Sequence, residues 1–344
     1  MNLKELSQVL GLSQTTISRA LNGYPEVAEE TRRKVLKAAA DHNYAPNARA
    51  KSLATGRAMS VGHVIPVSAR HEMVNPIFAD FIAGAGEAYM EHGYDMVLSL
   101  VPDKSEESAY RQLYARGSVD GIIVHGPRMD DNRIALLRQI GLPFVVHGRM
   151  TRQPDDDGYD WVDVNNLRAF RRATEFLLDL GHRRIAPING LTSMDFAMRR
   201  QQGYDEALTE RGGDIDPALI RSGEMTEAYG FGAASQMLDS DRPPTAFLSS
   251  SVIVAMGIRR AVEARGLQLA RDISVITHDD DLSYLSNGGD VPIFTATRSS
   301  VREAGRLCAE RLLELIRTPG LAPRQTLLEA ELTVGQSTGP APRR

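Results

Sequence analysis

Four polar side chains near the start of the chain, Gln14, Thr15, Ser18 and Arg19, share one exposed face of a predicted helix. Their chemistry suits base edges: a glutamine amide pairs bidentately with adenine, a guanidinium with guanine, and hydroxyls with bases or phosphates. Ser13, Thr16 and Asn22 extend the set. Two short helices must position these groups. Leu3, Leu6 and Leu10 make the apolar face of the first, with Asn2 and Glu5 as its cap. Gly11 permits a tight turn, Ser13 caps the second helix, and Ile17 with Leu21 marks its buried side. Two helices joined by a glycine-containing turn form a helix-turn-helix, whose second helix enters the major groove of DNA.

A third helix is expected over roughly Ala28 to Asn43, with Val27, Thr31, Val35 and Ala39 facing the first two. Tyr44-Ala45-Pro46-Asn47 breaks it, and a short Ala-rich basic run from Ala48 to Ala54 follows. Residues 1–60 hold nine Lys/Arg against five Asp/Glu, a net of +4; the whole chain is −4, so the remainder is −8. A basic patch on an acidic protein is an electrostatic footprint for phosphate. That asymmetry disfavours a mere helical cap on an enzyme.

The chain of 344 residues is long enough for two or three compact units, and 42% hydrophobic with 24% charged residues is ordinary for a globular protein. One cysteine, Cys308, forms no intrachain disulfide and falls in an apolar helical pattern, so core packing is its expected role. No apolar run reaches the ~18 residues of a membrane span. Without a charged-then-apolar leader, the expected compartment is the cytoplasm. No Gly-x-Ser-x-Gly elbow or phosphate loop occurs, and the eight histidines are scattered. The expectation is therefore no catalytic residues, no cofactor and no metal.

From Val61 short apolar runs alternate with amphipathic stretches. Strands are expected at Val61–Val67, Met96–Leu100, Gly121–Val124, Phe144–His147, Arg184–Asn189, Thr245–Ser249 and Ile273–Thr277, with helices between them. Such alternation implies parallel sheets with right-handed crossovers, and the length suggests two. A helix at Val301–Arg317 and a final strand at Gln325–Val334 close the pattern. Ligands in such folds bind at the carboxyl ends of strands, often in a cleft between domains.

The runs Gly11-Leu12-Ser13, Thr16-Ile17-Ser18-Arg19-Ala20-Leu21-Asn22-Gly23, Thr31-Arg32-Arg33-Lys34-Val35 and Tyr44-Ala45-Pro46-Asn47-Ala48-Arg49-Ala50-Lys51-Ser52-Leu53 resemble the LacI/GalR family of bacterial transcription regulators. The likeness continues through Asn75-Pro76-Ile77-Phe78, Val119-Asp120-Gly121, Leu180-Gly181-His182-Arg183-Arg184-Ile185 and Arg200-Gln201-Gln202-Gly203-Tyr204. It implies an N-terminal all-α helix-turn-helix domain plus an α/β periplasmic-binding-protein-like (type I) core of two parallel-sheet subdomains. The implied divisions are a DNA-binding domain at 1–45, a hinge helix and linker at 46–60, a core at 61–335 and a flexible tail at 336–344. Within the core, subdomain 1 takes about 61–160 and 291–318, and subdomain 2 about 161–290 and 319–335. The hinge would place Asn47, Arg49 and Ala50 on DNA and insert Leu53 into the minor groove of a near-palindromic operator.

The resemblance also implies an effector cleft. Arg200 would point into it, where a guanidinium fork suits paired hydroxyls or a carboxylate. Asp279 lies just past a strand's carboxyl end, where a binding carboxylate belongs, although Thr277-His278 replaces the family's usual Gly-aromatic pair. His125 and His147 end apolar runs, either lining the cleft or satisfied locally. Asn75 starts a helix at the cleft edge, and Phe78 stacks on a ligand ring or merely packs. Ser251-Val252 stands where many relatives carry Asn-Asp; Ser251 can still bond a hydroxyl. Trp161 is read as a packing residue. His147-Gly148-Arg149 resembles sugar-responsive members, so the expected effector is a sugar, an α-glucoside within that class. A purine or another small metabolite is the alternative, and a solute-binding protein a remoter one. The tail lacks a leucine heptad, so a homodimer is expected.

Overall fold

The structure, a computed structural model, describes residues 1–21, 23–44, 56–66, 75–102, 105–150 and 158–342. Two compact units divide the chain, Met1–Met59 and Ser60–Arg344. The smaller holds helices α1 (Leu3–Leu10), α2 (Gln14–Leu21) and α3 (Glu29–Asp41). Asn2 and Glu5 form a reciprocal capping box on α1, and Gly11 ends it at φ +64°, the left-handed conformation that favours glycine. Ser13 Oγ accepts the Thr16 N–H at 3.1 Å and so caps α2. Leu6, Ile17, Ala20, Val27, Val35 and Ala39 are buried together. Burial of a side chain such as Leu6 or Ile17 is worth about 1.5–3 kcal/mol. Arg32 of α3 donates to the Tyr24 carbonyl at 2.8 Å and so fixes the loop after α2.

The larger unit contains two six-stranded sheets. The first runs β11-β5-β4-β3-β1-β2, from Gln325–Leu328 through Trp161–Val164, Phe144–His147, Gly121–His125 and Ser60–Pro66 to the edge strand Asp95–Val101. The second runs β12-β10-β9-β8-β6-β7, from Glu331–Thr333 through Thr295–Arg298, Ser274–Asp279, Ala246–Ser249 and Ile185–Asn189 to Arg221–Ser222. Every pairing is parallel except β10 with β12. The central strands are buried on both faces, which explains their near-continuous apolar runs. Helices α4 (Pro76–Glu91) and α11 (Val301–Arg317) cross closely beside the first sheet. Glycines allow this: a Cβ on Gly84 would sit 2.0 Å from the Arg302 carbonyl oxygen, and one on Gly305 2.1 Å from that of Phe81.

Several boundaries differ from those the sequence suggested. Trp161–Val164 extends the first sheet, not the second, because it pairs with β4 and β11. Thr295–Arg298 belongs to the second sheet, paired with β9. The expected strand Gln325–Val334 is two strands in different sheets, divided at residues 329–330. By sheet membership, subdomain 1 therefore holds β1 to β5 and β11, and subdomain 2 holds β6 to β10 and β12.

The tail is not loose. Ser337 is fully buried, its hydroxyl donating to the Val275 carbonyl at 2.5 Å and accepting the Thr295 N–H at 2.9 Å. Ala341 N–H donates to the Leu180 carbonyl at 2.9 Å. His182 explains part of this docking. Its ring is buried, bonded to Thr245 and Ser274 hydroxyls at 2.9 Å, with the Gly339 carbonyl 3.1 Å away. Burial lowers its pKa and favours the neutral ring. Arg183 does bond the helix end, donating to the Leu178 carbonyl at 3.0 Å. No helix among the described residues is long and apolar enough to cross a membrane.

Candidate DNA-reading helix and effector cleft

In the helical unit, Ser13, Gln14, Thr15 and Arg19 are exposed, while Ile17 and Ala20 on the opposite side of α2 are buried. Thr16 and Ser18 are half-buried. Ser13 and Thr16 are engaged with one another, their hydroxyls 2.9 Å apart, so Ser13 serves as a cap. Asn22, Asn47, Arg49, Ala50 and Leu53 lie outside the described residues.

In the larger unit, a cavity of about 520 Å³ lies between the two sheets. Asn75, Phe78, His125, His147 and Arg200 all line it. Residues 127–129 of the first subdomain meet 193–195 of the second beside it, with Met129 N–H donating to the Ser193 carbonyl at 3.0 Å. Farther along the interface, Asp80 of α4 accepts the Ser283 hydroxyl at 2.6 Å.

The wall from subdomain 1 is aromatic. His125 ends β3 and His147 ends β4, side by side in the parallel register. Phe81 stacks on His147 with centroids 4.3 Å apart, and Phe78 meets His125 edge-on at 5.2 Å. Asn75 caps α4 by accepting the Ile77 N–H at 3.1 Å, which sets the helix that delivers both phenylalanines. Burial lowers the pKa of His147 to about 4 and that of His125 well below the ordinary value, so this wall is neutral at physiological pH.

The wall from subdomain 2 is ionic. Arg200 of α8 (Asp195–Glu210) lies between the rings of Phe170 and Phe196, 5.0 Å from each centroid. Its Nε donates to Asn166 Oδ1 and its Nη1 to the Ser250 carbonyl, both at 2.7 Å. Its Nη2 has no hydrogen-bond partner among the described residues, and Arg200 lines the cavity. Burial lowers the guanidinium to about 10, with Asp280 and Asp163 acting the other way, so it stays charged. Asp280 is pushed up to about 7 by burial; Arg200 opposes this and Asp279 adds to it. Asp163 is raised to about 6 by burial, while Arg149, 2.9 Å away, pulls it down.

Two expected cleft residues are not in the lining. Asp279 is the last residue of β9 and borders a separate small pocket, accepting the Asp281 N–H at 2.9 Å. Its neighbours His278 and Asp280 line the main cavity instead, because successive strand residues alternate faces. Ser251 caps the helix Val252–Glu263, accepting the Val254 N–H at 3.3 Å, and Ser250 lines the cavity in its place. Trp161 is buried in the core of subdomain 1, with the Arg149 guanidinium 5.2 Å from its ring. Sequence reasoning missed Phe81, Asn166, Ser250, His278 and Asp280. Phe81, three positions past Phe78 on one helix face, was accessible to a period-3.6 argument.

Comparison with known proteins fits this arrangement. Residues 2–47 match the family described as bacterial regulatory proteins, lacI family, and residues 59–334 match periplasmic binding proteins and sugar binding domain of LacI family. The chain is 45% identical over 345 residues to the HTH-type transcriptional regulator AglR of Rhizobium meliloti (strain 1021), covering 100% of this chain and 96% of that one. It is 30% identical to the HTH-type transcriptional regulator CelR of Thermobifida fusca, covering 97% of each. Among solved structures, the Lac repressor dimer bound to operator and the anti-inducer ONPF superposes with a TM-score of 0.85 at 27% identity, covering 98% of this chain and 99% of that one. A CelR–cellobiose complex gives 0.72 at 28% identity, covering 97% and 99%. These relatives are transcription regulators, and with an N-terminal helix-turn-helix joined to a two-sheet ligand-binding core, the chain belongs to the LacI family of bacterial regulatory proteins.

Proposed function

We propose that this regulator is a homodimeric repressor of sugar-utilisation genes, acting in the cytoplasm and controlled by a sugar held between Arg200 and Asp280 on one wall and Phe78, His125 and His147 on the other. The observation that carries this reading is the pairing of opposite walls around one cavity of about 520 Å³. An aromatic wall suits the apolar C–H face of a sugar ring. A guanidinium arm and a carboxylate suit hydroxyls, which both accept and donate.

Gln14, Thr15 and Arg19 read base edges in each half-site. Two copies pair through the exposed edge of the first sheet: β2 carries Leu98 and Leu100, which are 40% and 50% exposed, beside the 75% exposed Met90. The direct test is a gel-shift with the promoter regions flanking the gene, titrated with maltose, sucrose, cellobiose and hypoxanthine. A sugar that changes operator affinity, with matching calorimetric binding, supports the reading. A response to hypoxanthine alone moves the protein to the purine-responsive branch. Replacing Arg19 by Ala is expected to cost about 1–3 kcal/mol at the cognate operator and far less on random DNA. Equal losses on both would make Arg19 a phosphate contact.

A further inference from the structure

His63 of β1 is fully buried and forms the middle of a three-group chain that ends at the cleft. Its Nδ1 lies 3.0 Å from His125 Nε2, and its Nε2 lies 3.0 Å from the Tyr89 hydroxyl on α4. The two imidazoles stack at 5.2 Å, and Tyr89 meets His63 edge-on at 5.8 Å. The function proposed above uses His125 but neither His63 nor Tyr89.

Such a chain has two arrangements of hydrogens. In the first, Tyr89 donates to His63 Nε2, His63 Nδ1–H donates to His125 Nε2, and the remaining hydrogen of His125 sits on Nδ1. In the second, every donor becomes an acceptor, and His125 Nδ1 is bare. Burial keeps both histidines neutral, His63 near 3 and His125 well below its ordinary value, so each ring carries one hydrogen and the chain must take one direction. Tyr89 decides between them. It is 1% exposed, and His63 is its only hydrogen-bond partner among the described residues. The second arrangement leaves its phenolic hydrogen buried without an acceptor, which is costly; the first leaves only a lone pair unfilled.

We infer that Tyr89 and His63 are positioning residues that lock His125 as the Nδ1–H tautomer, so that this part of the cleft presents a hydrogen-bond donor and selects effectors with an acceptor oxygen there. His125 Nδ1 has no protein partner among the described residues, and His125 borders the cavity. Asp280 and Asp163 on the cavity lining accept hydrogens, so the two ends of a bound polyol meet opposite demands. The consequence for ligand choice rests on the cleft being the effector site; the tautomer does not.

The test is long-range proton–nitrogen correlation NMR on the full-length protein labelled with nitrogen-15 histidine, with His63→Gln and His125→Gln used for assignment. The expected spectrum shows both histidines protonated at Nδ1 and bare at Nε2, opposite to the preference of a free side chain. Tyr89→Phe is expected to move the His125 nitrogens toward the Nε2–H pattern, although residue 89 reaches His125 only through His63. A wild-type His125 protonated at Nε2 overturns the inference, and so do His125 signals unchanged in a folded Tyr89→Phe. The wild-type spectrum decides the matter even if that variant does not fold. Titration with maltose and cellobiose separates the two claims. His125 signals that stay put with every sugar count against the effector reading alone, while the ligand-free tautomer still judges the relay.

Discussion

The two walls of the cleft are built from the same parts, a helix and the carboxyl ends of parallel strands, yet they carry opposite chemistry. The wall from subdomain 1 is neutral and aromatic: Phe78, Phe81, His125 and His147, with burial holding the imidazoles unprotonated. The wall from subdomain 2 gathers a guanidinium and a carboxylate, Arg200 and Asp280, and burial weakens the charged form of each. The repeated architecture supplies positions; the residues at strand ends and on the adjoining helices decide what each position does. In the proposed function one wall measures the shape of a ring, and the other its hydroxyls.

That contrast can be broken from its strongest side first. Arg200→Ala removes the ligand arm and also the bonds to Asn166 and Ser250, and leaves Asp280 without its cation. Effector affinity by calorimetry is expected to fall by about 3 kcal/mol or more, while gel-shift affinity for the operator persists. Intact effector binding in a folded Arg200→Ala would remove this residue from the site.

Next comes the choice between adjacent carboxylates. Asp280→Asn is expected to lose about 1–3 kcal/mol of effector affinity, and Asp279→Asn much less. The reverse order would restore the assignment suggested by the sequence.

A pH series sharpens the same point. Asp280 binds its proton more tightly in the folded chain, near 7 against an ordinary 3.8. Its contribution to stability is therefore largest at low pH and declines as pH rises from about 4 to 7. Hydroxyl binding to the carboxylate should strengthen as pH rises through 7, and Asp280→Asn should flatten that rise. Arg200 stays charged and His278 neutral across this window, because burial lowers the arginine only to about 10 and holds the histidine well below its ordinary value. A profile unchanged in Asp280→Asn would assign the dependence elsewhere.

The smallest effect belongs to the aromatic wall. Phe78→Ala should cost about 0.5–1.5 kcal/mol of affinity for ring-shaped sugars and little for an acyclic polyol such as sorbitol. Equal losses for both would mean that Phe78 only fills space.

How much of this was readable in advance follows the same division. The helix-turn-helix was legible almost residue by residue, since caps, turn glycine and buried face are all local signals: Asn2, Glu5, Gly11, Ser13 and Ile17 each do what their type and spacing imply. The strands of both sheets were legible as apolar runs, except the short Trp161–Val164, Arg221–Ser222 and Thr295–Arg298, whose membership depends on pairing with distant segments. In the cleft, the strand ends named from the sequence do border the cavity, and His125 and His147 line it. Beside Asp279 and Ser251 it is the adjacent residues Asp280 and Ser250 that line it, because side-chain parity depends on where the strand stops and the next helix is capped. A slip of one residue exchanges the inside for the outside.

The order in which the chain is made gives the docked C-terminal segment a temporal meaning. The first unit closes its core by Ala39 and can fold soon after leaving the ribosome. Neither sheet of the second unit can do so: the first waits for Val301–Leu328, and the second for Thr295–Arg298, Glu331–Thr333 and the buried Ser337. During synthesis there is thus an interval with a finished reading head and an unfinished sensor. A nascent chain cut short in that interval holds a complete helix-turn-helix core but neither finished sheet, and so no cleft.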